Sequence, residues 1–462
     1  MERLSPLDAF FLFIEDGNSH MHIAACAIFE GPAPPYRRVV AAIADKLDLV
    51  PRYRQVVRFV LLQLGRPVWI DDPHFRLEYH VRHTALPTPG GLEELRDLMG
   101  RLMSQELDRN RPLWEAWMVE GLQGGRWALI MKIHHCMADG ISGNDLFTVL
   151  LSREPNPPVV DSSRWQPAPG PSGLRLATDA VWRLALTPYD EFRALCQATA
   201  APRLALSRLR DTTEGMLSYA RRVPSTKPNS LVGSLGPHRR WTFANATLDD
   251  VKTIRRTFDA TVNDVVVAAV TAGLHELLLS RGEPVQGRVV RTLIPVSVRA
   301  ENERGNFDNR VSGMLADLPV GIDDPVERLV AVRKELGMLK ASHQAGAGQR
   351  LTAMAELAPS AALAFAERNS MRILRRLPQH TINTVTTNVP GPQHPLYLAG
   401  REMLEYLPFV PIVQGMRVGL AIMSYNGKVA FGVTGDYDTV PDIEVLAGGI
   451  EDAIAELLKL AV

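Results

Sequence analysis

The chain has 462 residues, more than one ordinary core fills, and a length that suits two domains or two halves sharing an interface. Hydrophobic residues make up 46% and charged residues 22% of it, which excludes a disordered chain. Lysine plus arginine and aspartate plus glutamate both number 51, for a formal net charge of zero, so no general affinity for nucleic acid is expected.

Met1-Glu2-Arg3-Leu4-Ser5-Pro6 lacks the apolar core of a secretory signal. No run of 18 or more apolar residues predicts a membrane-crossing helix. The expectation is a cytosolic protein, or one that lies on a membrane surface. His22–Phe29 reads as a buried strand and Tyr36–Lys46 as a helix. Leu92, Leu95, Leu98, Met99, Leu102 and Met103 recur at helical spacing between Leu92 and Leu107, and Trp127–Ile133 suits a buried strand. A proline-rich stretch, Glu154–Gly173, predicts an extended linker. Beyond it, Leu174, Ala177, Val181 and Leu184 predict one apolar helix face. Val223–Pro237 is a second irregular stretch.

The second half then begins afresh. Thr247 to Asp250 and Thr261 to Asp264 both read Thr-x-x-Asp, a helix start in which the threonine caps free N–H groups and the aspartate suits the positive helix end. The second of these helices is expected to run to about Ser280 and to stop near Gly282. Strands are expected at Arg288–Val298 and Val311–Val320 and, after a long helical region, at Thr381–Val389, Met416–Met423 and Lys428–Val433. No short-period repeat is present. The predicted division is 1–165, a helical connector 166–232, and 233–462.

Lys132-Ile133-His134-His135-Cys136-Met137-Ala138-Asp139-Gly140 carries the chemistry. It follows a predicted strand and precedes a predicted helix, so the strand can hold a side chain still in a cleft. The pattern HHxxxDG arises by chance in roughly one chain per thousand of this length. One histidine can take a proton from an attacking hydroxyl near neutral pH. Asp139 can fix the loop, and Gly140 allows a turn that other residues resist. The pair could also be packing histidines. A zinc site is the weaker alternative, since adjacent side chains at a strand end diverge and no further ligands cluster nearby. Cys136 reads as a packing residue before a nucleophile. The three cysteines, Cys26, Cys136 and Cys196, are odd in number and far apart, so neither a disulfide framework nor zinc spacing is expected, and a reducing compartment is.

HHxxxDG resembles the signature of the superfamily built from two chloramphenicol-acetyltransferase-like halves, and further segments resemble one branch of it. These are Leu4-Ser5-Pro6-Leu7-Asp8-Ala9-Phe10-Phe11-Leu12 with Met21-His22-Ile23; Arg111-Pro112-Leu113-Trp114; Asn263-Asp264-Val265-Val266-Val267-Ala268; Pro295-Val296-Ser297-Val298-Arg299 with Gly305-Asn306; Asn388-Val389-Pro390-Gly391-Pro392; and Ser424-Tyr425-Asn426-Gly427. In this order, along nearly the whole chain, they resemble the bacterial wax ester synthase/diacylglycerol acyltransferases, actinobacterial triacylglycerol synthases above all.

The resemblance implies an α/β (α+β) fold of two such halves, each a mixed sheet with flanking helices, with a tunnel between them. It implies acyl transfer from acyl-CoA to diacylglycerol or a long-chain alcohol with no acyl-enzyme, no metal and no cofactor. His135 would be the general base, with His134 orienting the loop. Asp139 would turn away from substrate and pair with an arginine of the second half, for which Arg299 is the candidate. Asn263, Asp264 and Asn306 are candidates for lining the site. Arg368, Arg372, Arg375 and Arg376 recur at i, i+4, i+7 and i+8. That face could meet CoA phosphates or the surface of a membrane or lipid droplet, or be a plain solvated face. A condensation-type enzyme taking its acyl group from a carrier protein, and a weakly active lipid-droplet-coating relative, are the rival readings.

Overall fold

The computed structural model describes residues 2–61, 65–137, 147–157, 165–182, 227–297, 311–341 and 381–462. The first stretch gives β1 (Glu2–Arg3), α1 (Pro6–Ile14), β2 (His22–Phe29), α2 (Tyr36–Ala44), β3 (Gln55–Arg58), β4 (Val68–Asp71), α3 (Leu77–His80), β5 (Val81–Ala85), α4 (Leu92–Met103), β6 (Trp114–Leu122) and β7 (Arg126–His134). Residues 173–182 form α5. The second stretch gives β8 (Arg239–Thr247), α6 (Leu248–Thr257), α7 (Val262–Ser280), β9 (Val290–Ser297), β10 (Val311–Leu318) and α8 (Pro325–Ala341). It continues with β11 (Thr384–Pro390), β12 (Tyr397–Leu398), β13 (Arg401–Phe409), β14 (Val418–Tyr425), β15 (Lys428–Asp436) and α9 (Ile443–Ala461).

Two six-stranded mixed sheets organise these elements. The first runs β12-β13-β2-β7-β6-β5 and is antiparallel except for β5 beside β6; the second runs β10-β9-β11-β14-β15-β8, with β9, β11 and β14 parallel. A three-stranded sheet, β1-β4-β3, stands apart.

Both Thr-x-x-Asp segments cap helices. Thr247 accepts from the Asp250 N–H at the start of α6, and Thr261 and Asp264 form a reciprocal capping box at the start of α7. The α7 helix is apolar on every side because it is buried on nearly every side, from Asp264 through Leu278. It has the length and hydropathy of a membrane span, but it fills the core of the second sheet beside α9.

Two expectations need correcting. The apolar face predicted for α5 from Leu174, Ala177 and Val181 is not its buried one: Leu174 and Val181 are exposed, while Leu176 and Ala180 are buried against Val60 and Val68. An ion pair between Arg3 and Asp179 at 2.5 Å fixes that orientation. The sequence also placed no strand at Arg401–Phe409. There β13 leaves the second half of the chain and pairs antiparallel with β2, from Met403 opposite Phe29 to Phe409 opposite Ala24.

That crossing brings the sheets together. Gly432 of β15 lies so close under Pro408 that an added Cβ would sit 1.8 Å from its carbonyl oxygen, and the Trp241 indole donates to the same carbonyl at 3.0 Å. Gly100 does the same service for α4 against β8, where a Cβ would lie 2.6 Å from the Arg239 carbonyl oxygen.

Candidate functional site

The double histidine is held at a strand end, as its position in the sequence predicts. β7 finishes at His134 and turns at once into a 3-10 turn, His135–Met137. Both flanking strands grip it. The His134 N–H donates to the Leu113 carbonyl at 2.9 Å, at the start of β6, and the His135 N–H donates to the Met21 carbonyl at 2.7 Å, at the start of β2. Leu113 and Trp114, from the Pro112-Leu113-Trp114 segment, are buried, and the Trp114 indole donates to the Tyr53 carbonyl at 2.8 Å. That segment packs the floor under the histidines.

The two rings do different things. His135 is only half-buried; its ring stacks on Phe11 of α1 at 4.0 Å between centroids and 23° between planes, and it lines a cavity. His134 is buried at 1% exposure. Its Nδ1 accepts the Cys136 backbone N–H at 3.0 Å, and its Nε2 lies 3.4 Å from Glu15 Oε2. An Nδ1 that accepts carries no proton, so the ring's proton sits on Nε2, the nitrogen nearer the carboxylate.

Behind the histidines lies a buried charged cluster that the sequence did not reveal. Glu15 is the cap residue ending α1, and its side chain is 5% exposed. It contacts Arg109 Nη2 at 2.5 Å, His22 Nε2 at 3.4 Å and the Met21 N–H at 3.0 Å. Burial alone would raise its carboxyl, but His134 and Arg109 together outweigh that and hold it at about 2. Burial drives His22 well below the ordinary histidine value, with Lys132 adding to it. Burial also brings Lys132 down to about 8; its ammonium donates to the carbonyls of Leu102, at 2.9 Å, and Gln105 at the end of α4. An acidic residue at a helix C-terminus opposes the helix dipole, and that misplaced charge is the one local hint Glu15 gives.

The cavity measures about 460 Å³ and lies between the two sheets. Phe11, Met131 and His135 line it from the first half, and Leu293, Val389 and Met423 from the second. Among the described residues its hydrogen-bonding side chains are His135, Thr387, Asn388 and Tyr406, in a lining that is otherwise apolar. Such a space takes an apolar ligand whose reacting part meets a small polar cluster.

The other candidates divide. Asn388 donates to Asn263 Oδ1 at 3.0 Å, which ties the start of α7 to the cavity wall. Asp264 is 3% exposed and its carboxylate accepts the Thr261 N–H at 2.8 Å, so it is engaged in the cap. Asp139, Gly140, Arg299, Asn306, Arg368, Arg372, Arg375 and Arg376 lie outside the described residues, as does Cys196. Cys136 is buried and its thiol is pushed well up by that burial, the opposite of what a nucleophilic cysteine needs. Among the described residues no group of three or more His, Cys, Asp or Glu side chains could hold a metal ion.

Comparison with known proteins decides what this site belongs to. Residues 4–266 match the wax ester synthase/diacylglycerol acyltransferase catalytic domain, and residues 307–458 match the WS/DGAT C-terminal domain. The chain belongs to the wax ester synthase/diacylglycerol acyltransferase family. It is 38% identical to the "Probable diacyglycerol O-acyltransferase tgs1" of Mycobacterium tuberculosis, over 100% of this chain and 96% of that one. Among solved structures it resembles the wax ester synthase/diacylglycerol acyltransferase from Marinobacter aquaeolei VT8, with a TM-score of 0.70 and 25% identity over 100% of both chains. The first condensation domain of the calcium-dependent antibiotic synthetase shares the fold, with a TM-score of 0.61 at 15% identity over 99% of this chain and 96% of that one. The two sheets with their helices therefore resemble duplicated chloramphenicol-acetyltransferase-like halves. The family's activity is acyl-CoA-dependent O-acyl transfer, and it is this enzyme's.

Proposed function

We propose that this enzyme transfers a long-chain acyl group from acyl-CoA to diacylglycerol, or to a long-chain alcohol, with His135 as the general base. The observation that carries the reading is the His135 ring, braced by Phe11, at the wall of an apolar cavity between the two sheets. His135 takes the proton of the acceptor hydroxyl as that oxygen attacks the thioester carbonyl. The tetrahedral intermediate collapses by breaking the C–S bond, and His135 returns the proton to the CoA thiolate. Both substrates meet directly, so proximity supplies much of the acceleration and no acyl-enzyme forms.

In this reading the cavity is part of a tunnel between halves 1–165 and 233–462, joined by 166–232, with β13 tying the second half to the first. Asp139 and Arg299 pair across the halves to fix the histidine loop, with Asn263, held by Asn388, and Asn306 beside the acceptor. Arg368, Arg372, Arg375 and Arg376 meet CoA phosphates or an anionic membrane or lipid-droplet surface, and the enzyme works on that surface from the cytoplasm. The name of the mycobacterial relative favours diacylglycerol as the acceptor.

Purified enzyme with palmitoyl-CoA and a panel of acceptors tests this, with His135→Ala as the blank. Diacylglycerol should give the highest kcat/KM. A donor preference for acyl groups on a carrier protein would overturn the reading.

A further inference from the structure

We propose that Glu15 is a positioning residue for acyl transfer, its carboxylate fixing the backbone and the ring tautomer of the double histidine so that His135 meets the cavity in one orientation. The proposal rests on the reading of His135 as the base and adds to it a residue outside every motif.

Glu15 reaches the histidines by two routes. On one side Oε1 accepts the Met21 N–H at 3.0 Å, and the carbonyl of the same Met21 accepts the His135 N–H at 2.7 Å. A single residue thus stands between the carboxylate and the backbone of the base. On the other side Oε2 lies 3.4 Å from His134 Nε2, and His134 Nδ1 in turn accepts the N–H of Cys136 at 3.0 Å. The residues before and after His135 are both held by this arrangement, and a His134 ring flipped or protonated on Nδ1 would release the Cys136 N–H.

The same carboxylate also ends the helix that braces the base. α1 runs Pro6–Ile14, its Phe11 stacks on His135, and Glu15 follows at its end. Ring, backbone and tautomer of the histidine pair are therefore registered by one short segment.

A purely local ion pair does not account for the burial. Arg109 is 42% exposed at its side chain, whereas Glu15 is 5% exposed. A carboxylate needed only to meet Arg109 could do so in water, and taking it out of water is costly. Its position inside is explained by the groups that only the interior offers, Met21, His22 and His134.

Glutamine cannot replace it. An amide has one accepting oxygen, and its NH2 would have to face either the Met21 N–H or the Arg109 and His134 side, where donors already point.

The test is kinetic and spectroscopic. Glu15→Gln should lower kcat about tenfold and leave KM for palmitoyl-CoA within about twofold, because it misplaces the base without touching donor binding. In wild-type enzyme labelled with 15N at histidine, the His134 signals, assigned by their loss in His134→Asn, should show a proton on Nε2 and an accepting Nδ1. In Glu15→Gln they should move toward a mixture of tautomers. A role in packing alone would lower the melting temperature and leave the tautomer and kcat unchanged. Normal kcat in Glu15→Gln, or a wild-type His134 protonated on Nδ1, overturns the proposal; the wild-type spectrum decides it even if the variant does not fold. His135→Ala assayed in parallel separates the two readings. Full activity there removes the base assignment itself, whereas loss there with normal kcat in Glu15→Gln removes the positioning role alone.

Discussion

The two sheets face one cavity, are built to one plan, and furnish it in opposite ways. Behind the cavity wall of the first sheet stand Glu15, His22, His134 and Lys132, charged or titratable groups shut away from water, with the half-exposed Arg109 at their edge. On the strands of the second that line the cavity, neutral groups are bonded in pairs, and the buried ion pairs of that half, Arg291 with Asp317 and Arg239 with Asp436, involve no residue of the lining. Thr292 donates to Thr386 at 2.9 Å, Thr384 to the Val418 carbonyl at 2.8 Å, and Asn388 to Asn263 at 3.0 Å. Buried charge is expensive and is retained where it sets the state of a reacting group; buried hydroxyl and amide pairs cost little and fix a wall. On the proposed reading of His135, the first half supplies the chemistry and the second supplies the shape of the space.

The largest effect that could break this division is on His135. His135→Ala should leave a folded enzyme with kcat lowered about 10² or more, the usual worth of a general base, and His134→Ala should cost less. Steady-state assay with palmitoyl-CoA and diacylglycerol measures both. Residual activity near wild type in His135→Ala would move the chemistry to the second sheet.

The charged cluster should next show itself in stability against pH. The Glu15 carboxyl sits at about 2 in the folded protein against an ordinary value of 4.5. A depressed carboxyl contributes stability that is fully present above the ordinary value and is lost as pH falls toward the folded one. The difference corresponds to about 3 kcal/mol, lost between roughly pH 4.5 and 2. Urea unfolding over that range should show a steeper loss for wild type than for Glu15→Gln. Parallel curves would mean the cluster is not ionised as described.

What could be read from the sequence follows the range of the interactions. The double histidine was legible because strand, turn and side chains lie in one contiguous segment. Both capping threonines were legible because a cap lies within four consecutive residues. Glu15 was not, because its partners Arg109 and His134 lie 94 and 119 residues away and a lone glutamate after a helix reads as solvated. β13 was missed because Arg401, Glu402 and Glu405 interrupt its apolar pattern and Pro408 argues against a strand in mid-sheet; its pairing with β2 is made across more than 370 residues. The face of α5 was misjudged because its apolar residues offer two adjacent stripes, Leu174, Ala177 and Val181 or Leu176 and Ala180, and Arg3, far away in sequence, chose between them.

A smaller effect tests the second sheet as a shaping wall. A Cβ added at Gly313 would sit 2.7 Å from Leu293 Cδ1, and both residues line the cavity. The leucine end is flexible and can swing toward the cavity, narrowing it. One methylene's worth of space in an apolar pocket discriminates by about tenfold or more. Gly313→Ala should therefore shift the preference between palmitoyl-CoA and a shorter acyl-CoA by about tenfold, with the pH dependence of kcat unchanged. A changed pH profile would show that the second wall takes part in the chemistry.

The smallest expected effect is at Cys136, and it separates a backbone role from a side-chain one. The thiol is buried at 2% exposure and pushed well up by that burial, so the thiolate that could attack an acyl-CoA is scarce at neutral pH. What Cys136 gives the site is its backbone N–H, which holds His134 Nδ1 at 3.0 Å, and alanine keeps that N–H. Cys136→Ala should then lose about 1 kcal/mol of stability to the small space left by sulfur and keep kcat within about twofold. Proline at the same position removes the N–H and should lower kcat, even though it removes no more of the thiol than alanine does. If instead Cys136→Ala were inactive, and acyl-CoA carrying a labelled acyl group left the label on Cys136, transfer would run through a thioester on the enzyme. His135 would then have the different task of activating that thiol.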